Sequence, residues 1–375
     1  MNRRHLMKGG AALSACVAFP AWTQPGRAAP SRAPVIAQII DVSNEQQDVA
    51  KDFLIGSRAA WQDINKKGGV RGRQVQHLSL EIDGTPASLR AALAQLRDNP
   101  SCLALSGTAS DPVAAQLVAL LHEEKLDIAH VAPWLQNSSV NIDDRTFPIF
   151  ATRQEQIGHA LKSLTVMGVQ DFGAVYASAR EFGLYREDVE RTAAGLNLKI
   201  KSIAPQADLK TLGQRLDQNS AAIVLFIGGT PELVQFTQGL EKQSRQRYVI
   251  ALADVNLQTM IQMGGSRSTP VIATQAVPTV NNSKLQVVRS YRETLARLFD
   301  EPPASLSLAG YIAARYTFEV LNDMEGALTR QNVLTAFQRR ADVDVGGFRV
   351  SFNQQRRGST YVTQSMLATD GRLIG

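Results

Sequence analysis

The sequence is short of the residues that carry most catalysis and cross-linking. It holds two cysteines, Cys16 and Cys102, and five histidines in 375 residues. Cys16 falls in the leader discussed below, so Cys102 has no partner for an internal disulfide. In its apolar run "CLALSG", Cys102 reads as a core residue, not a nucleophile. His5 also lies in the leader, and His77, His122, His130 and His159 form no H-x-x-x-H pair for a metal. No G-x-S-x-G, G-x-x-x-x-G-K-[ST] or G-x-G-x-x-G is present. These absences argue against an enzyme, with neither metal nor cofactor expected. Long apolar runs are missing too: residues 9–22 are the longest candidate, and a membrane span needs about 20.

What is present begins with a leader. "MNRRHLMK" is basic, "GGAALSACVAFPAW" apolar and "TQPGRAAP" rich in small residues, the order of a secretory signal. Arg3-Arg4 followed by His5, Leu6, Met7 and Lys8 resembles a twin-arginine signal. A signal peptide is expected over residues 1–29, cleaved after Ala28. "LSAC" resembles a lipoprotein box, and the alternative is a lipid anchor at Cys16. Removing residues 1–29 deletes Arg3, Arg4, Lys8 and Arg27 and no acid, which takes the formal charge from +6 to +2. That leaves no concentrated cationic surface for nucleic acid.

From Val35 onward short apolar runs alternate with amphipathic stretches. Strands are expected at 35–40, 75–80, 102–107 and 126–133, with helices at 49–67, 87–99 and 111–124 between them. Ser110 and Asp111 with Pro112 form a good helix start. The pattern restarts at Arg153, with strands at 172–177, 198–204, 221–228, 248–252 and 271–277 and helices between, one of them over 185–195. Such alternation means βαβ units on parallel sheets, here in two halves. Helices at 284–299, 305–324 and 330–340 then return the chain to the first half, and strands follow at 346–352 and 359–367.

Two loops draw attention as chemistry. "SGTASDP" (106–112) leads from a strand into a helix, where free N–H groups and the hydroxyls of Ser106, Thr108 and Ser110 can meet an anion, or merely cap the helix. "APWLQNSS" (132–139) has the same placement; Trp134 there either lines a cleft, the expectation, or packs under its own loop. "GGT" (228–230) is either an anion-facing turn or simply a tight one.

"WQDINKKGGVRGRQV" (61–75) places the chain. Asp63, Ile64, Asn65, Gly68, Gly69, Val70, Gly72 and Arg73 match the D-E-I-N-x-x-G-G-V-x-G-R pattern. The segment closely resembles extracytoplasmic solute-binding proteins of the leucine/isoleucine/valine-binding type, the receptors of ATP-driven importers. "SGTAS", "EFG" (181–183), the glycines after "IVLFI" and "LSLAGYIAARYTFEVL" (306–321) extend the likeness over nearly all of the mature chain. The four cations Lys66, Lys67, Arg71 and Arg73 then read as a solvated corner, with the glycines closing a helix.

The resemblance implies an α/β, type I periplasmic-binding fold: two Rossmann-like lobes with parallel central sheets, joined by three hinge crossovers. The first lobe is expected over 33–152 plus 279–345, and the second over 153–278 plus 346–375. The implied function is the periplasmic substrate-binding component of an ABC transporter. It would capture an amino acid, amide or aromatic or organic acid and deliver it to permease subunits in the inner membrane. A sensor of the same fold, signalling to a membrane kinase or chemoreceptor, is the alternative. A monomer, exported by the twin-arginine route, is expected.

Family binding positions carry over to Thr108 and Ser110, to Trp134, Leu135 and Gln136, and in the second lobe to Phe182, Ile227, Gly228 and Asp254. By the resemblance, the first two loops hold an α-carboxylate, and Asp254 either takes an α-ammonium or is only a helix-start acid. Trp134-Leu135-Gln136 replaces the family's small-small-Thr run, and Phe182-Gly183 its Tyr-Gly. The loop 41–51 lacks the usual glycines. The implied site is more aromatic and less hydroxylated than a leucine site.

Overall fold

The computed structural model describes residues 33–241, 243–367 and 373–375, and the expected signal peptide lies outside them. In chain order the first elements are β1 (Val35–Asp41), α1 (Gln47–Lys66), β2 (Gln76–Ile82), α2 (Pro86–Arg97), β3 (Cys102–Ser106), α3 (Asp111–Glu123), β4 (Ala129–Val131) and β5 (Thr146–Phe147). The second run is α4 (Arg153–Val166), β6 (Asp171–Tyr176), α5 (Ala179–Gly195), β7 (Lys199–Ile203), α6 (Leu209–Arg215), β8 (Ile223–Ile227), α7 (Thr230–Leu240), β9 (Tyr248–Ala251), α8 (Leu257–Gln262) and β10 (Val271–Gln275). The chain finishes with α9 (Gln286–Leu298), α10 (Ser305–Asp323), α11 (Arg330–Gln338), β11 (Val343–Val345), β12 (Phe348–Val350), β13 (Thr363–Leu367) and β14 (Leu373–Ile374).

Two sheets result. The first has the order β2-β1-β3-β4-β5, all parallel. The second has the order β14-β13-β10-β9-β8-β6-β7, parallel from β7 to β10, with β13 and β14 added antiparallel at one edge. Both sheets are covered on both faces, as parallel sheets require. β1 shows why: Ile36 and Ile40 enter one core with α1, α9 and α10, while Val35, Ala37 and Ile39 enter the other with α2 and α3. The second sheet is flanked by a core with α6, α7 and α8 and by one with α4 and α5. The chain passes between the sheets after β5, after β10 and after β12. This is the two-lobed α/β fold expected from the sequence.

Some local expectations shift. α5 begins at Ala179 instead of Tyr185, because Ser178 accepts from the N–H groups of Arg180 and Glu181 and opens the helix early. Residues 346–350, grouped by sequence with the second lobe, pair as β12 with β11 and pack into the first lobe's core through Phe348 and Val350. The segment 61–75 is a structural corner. Gly69, at φ +73°, donates to Ile64 O at 2.9 Å and closes α1. Asn65 then exchanges two hydrogen bonds with Val75, at 2.7 and 2.8 Å, and sets the entry to β2. Lys67 and Arg297 both reach Asp63, at 2.7 and 2.8 Å, and Arg71 donates to Gly326 O at 2.5 Å.

Candidate functional site

In each sheet the strand order reverses once, and ligands of open α/β sheets sit outside the carboxyl ends at that point. In the first sheet the point lies between β1 and β3, which end in Asp41 and Ser106. In the second it lies between β6 and β8, which lead into Ala177-Ser178 and Gly228-Gly229. A cavity of about 90 Å³ joins the two lobes there. Glu45, Gln46 and Val49 line it from the first lobe, and the β6–α5 and β8–α7 turns with Arg153 and Asp254 from the second. A larger hollow of about 320 Å³ lies beside Lys67, Arg315 and Asp344. Its lining holds no residue that follows a strand of either parallel sheet, so the interlobe cavity is the candidate site.

Gly228 makes this meeting of loops possible. A Cβ at that position would sit 2.4 Å from Cβ of Ala177, well inside contact distance, so only glycine lets the two turns approach this closely. Ser178 caps α5 and bonds Glu181, and Glu232 lies in the first turn of α7. Burial pushes the Glu232 carboxyl up from its ordinary value, and Glu181 and Glu45 push it further. Those carboxylates therefore converge across the cavity.

Arg153, the first residue of α4, is the only cation in the lining among the described residues. A capping box of Thr152 and Glu155 starts its helix. Its guanidinium donates to Asp254, lies 3.8 Å from Asp111 and stands over the Tyr185 ring at 4.7 Å. Burial opposes the charge on Arg153, but Asp254, Tyr185 and Asp111 outweigh it and hold the group protonated. Burial raises Asp111, with Arg153 pulling the other way. Tyr185 Oη donates to Asp111 at 3.3 Å, and Trp134 Nε1 donates to Asp254 at 2.8 Å. Asp111 and Trp134 belong to the first lobe, Tyr185 and Asp254 to the second, so this network stitches the lobes together.

Of the positions carried over by resemblance, Gly228 and Asp254 line the cavity. Trp134 is 1% exposed, packed against Phe53 and Phe150 with only its N–H turned to Asp254. Phe182 is half-buried on α5, its ring edge-on to Tyr176 and beneath Arg186. Thr108, Ser110, Leu135, Gln136 and Ile227 are buried. Thr108 Oγ1 pairs with His130 Nε2 at 2.9 Å, and burial drives the His130 pKa down to about 3. Ser110 Oγ donates to Asp41 at 2.9 Å. The N–H groups of Gln136 and Asn137 donate to Asp111 at 2.6 and 2.9 Å. The Gln136 side chain accepts from Gln156 at 3.1 Å. Most polar groups of the first two loops are thus engaged inside the protein, while the buried Gln136 Nε2 has no partner.

Sequence reasoning passed over Arg153, Asp111, Tyr185, Glu181 and Glu232. One signal was available: an arginine in the first turn of a helix opposes the helix dipole, and Arg153 needs a partner to stand there. Among the described residues no group of three His, Cys, Asp or Glu is placed to hold a metal, and no helix is long and apolar enough to cross a membrane.

With this geometry in view, a family model described as "Periplasmic binding protein" matches residues 35–370. No curated protein matches the chain. Among solved structures, an extracellular ligand-binding receptor from Verminephrobacter eiseniae shares 19% identity at a TM-score of 0.83, over 92% of this chain and 100% of that one. A substrate-binding periplasmic protein from Ralstonia solanacearum shares 20% at 0.80, over 91% and 99%. The branched-chain amino acid transporter protein LivJ from Streptococcus pneumoniae, in complex with isoleucine, shares 12% at 0.77, over 92% and 98%. At these identities the likeness is one of fold.

Proposed function

The chain belongs to the periplasmic binding protein family, and from that premise we propose that it is the periplasmic substrate-binding component of an ABC importer. It captures a small organic solute between its lobes and presents it to a membrane permease. The observation that carries this reading is the interlobe cavity, lined from both lobes at the reversal point of the second sheet. A solute there touches Glu45 to Val49 on one side and the Gly228 and Ser178 turns on the other, so occupancy favours the approach of the lobes. Asp254 is its second-lobe anchor.

Thermal-shift screening followed by calorimetry tests the reading. A bound solute is expected to stabilise the protein by about 2.7 kcal/mol at a hundredfold excess over Kd. Absence of any stabilising solute across amino acids, amides, amines and organic acids would count against it.

A further inference from the structure

We propose that the solute held between the lobes carries a net positive charge and sets one hydrogen-bond acceptor against Arg153. This rests on the receptor reading above and adds the charge of its ligand. Among the described residues four carboxyl groups line the cavity, those of Glu45, Glu181, Glu232 and Asp254, against the guanidinium of Arg153, a formal balance of four acids to one base. That guanidinium is already held by Asp254, Asp111 and the Tyr185 ring. Its Nη2 is therefore taken by the protein's own acids.

The donors of the first two loops are likewise largely committed, with Gln136 Nε2 left over. Ser110 Oγ is given to Asp41, and the N–H groups of Gln136 and Asn137 to Asp111. The N–H of Trp134 goes to Thr108 O at 2.8 Å, and that of Ala109 to Ile39 O at 3.2 Å. The protein's own carboxylates, Asp41 and Asp111, already accept from these donors. Meanwhile Glu45 faces Glu181 and Glu232 from the opposite lobe, and closing like charges together is unfavourable without a counter-charge. A cation between the lobes supplies it. Arg153 adds a second, independent demand: it is 7% exposed and lines the cavity, yet its buried Nε has no acceptor. A solute acceptor completes it. Diamines bearing a carbonyl or hydroxyl, amidines and basic amino acids share this chemistry.

Calorimetry on the mature protein separates the sources, with hydroxyputrescine and benzamidine as cations lacking a carboxylate, arginine as one with it, citrulline as arginine's neutral counterpart, and leucine and glutamate. At least one cation is expected to bind saturably, with arginine ahead of citrulline by about tenfold or more, equivalent to about 1.4 kcal/mol. Binding should weaken as salt rises, because the attraction is screened. Glu232→Gln should lower cation affinity with the melting temperature retained, and Glu45→Gln, at an exposed position, repeats the test without a folding concern. Saturable binding confined to neutral or anionic solutes overturns the charge assignment and leaves the receptor reading standing. Binding of none of them overturns both.

Discussion

The indole N–H of Trp134 in the first lobe reaches Oδ1 of Asp254 in the second at 2.8 Å, while Arg153 takes the other carboxylate oxygen. One acid thus joins the interior of one lobe to the cavity face of the other. Trp134→Phe keeps the ring between Phe53 and Phe150 and removes only the donor. Urea denaturation is expected to show a loss of about 1–3 kcal/mol, the range for a hydrogen bond to a buried charged group. Trp134→Ala should cost more, about 3–5 kcal/mol, because the aromatic cluster is emptied. It should also weaken solute binding at least tenfold, or about 1.4 kcal/mol.

Gly228→Val tests the loop junction. The new Cβ must displace Ala177, whose Cβ would otherwise be 2.4 Å away. Overpacking of this kind costs about 1–3 kcal/mol, and the distortion falls on the cavity wall. Affinity for solute, read by calorimetry, is expected to fall further than stability does. Equal affinity in the variant would place the solute away from this turn.

Asp52, on α1, accepts from Asn256 Nδ2 across the lobes at 2.6 Å, and burial raises its pKa from 3.8 to about 6. The native state therefore holds this proton more tightly than the unfolded chain does. Its contribution is fully present below 3.8 and is lost as pH rises through about 6. Asp52→Asn keeps an acceptor for Asn256 and removes the titration. The variant is expected to be more stable than the wild type at pH 7, with the difference shrinking toward pH 4 in paired thermal melts. A constant difference across that range would exclude Asp52 as the titrating group.

Asn65→Ala tests the family-like corner. It removes both hydrogen bonds to Val75, leaving backbone groups without their partner, so a loss of about 1–3 kcal/mol is expected. Solute affinity should stay unchanged, since the corner is absent from the cavity lining.

The fold was legible because periodicity and caps agree with the tertiary structure. β1 is apolar at five of its seven positions, Gln38 and Asp41 apart, since both its faces are covered, and Ser110 caps α3 as its position suggested. Short elements escaped: β5 is two residues long and β11 three, too brief for any alternation to show. Of the candidate cavity's lining, the sequence pointed to Gly228, where a turn announced it, and to Asp254, where an acid followed a strand. Asp111 reads in sequence as an ordinary helix-start acid, and Glu232 carries no signal of its own. Their convergence with Arg153 depends on how α3, α4 and α7 are brought together, which local pattern does not encode. Trp134 falls between the two readings of its loop: its ring is core and its N–H faces the other lobe.

The central claim is that the interlobe cavity at the carboxyl ends of the strands is the binding site. A crystal structure with the tightest solute of the screen tests it most directly. The account expects density for the solute between Glu45–Val49 and the Ser178 and Gly228 turns, with a contact to Asp254 or Arg153. Density for the solute elsewhere, with this cavity unchanged, would contradict it.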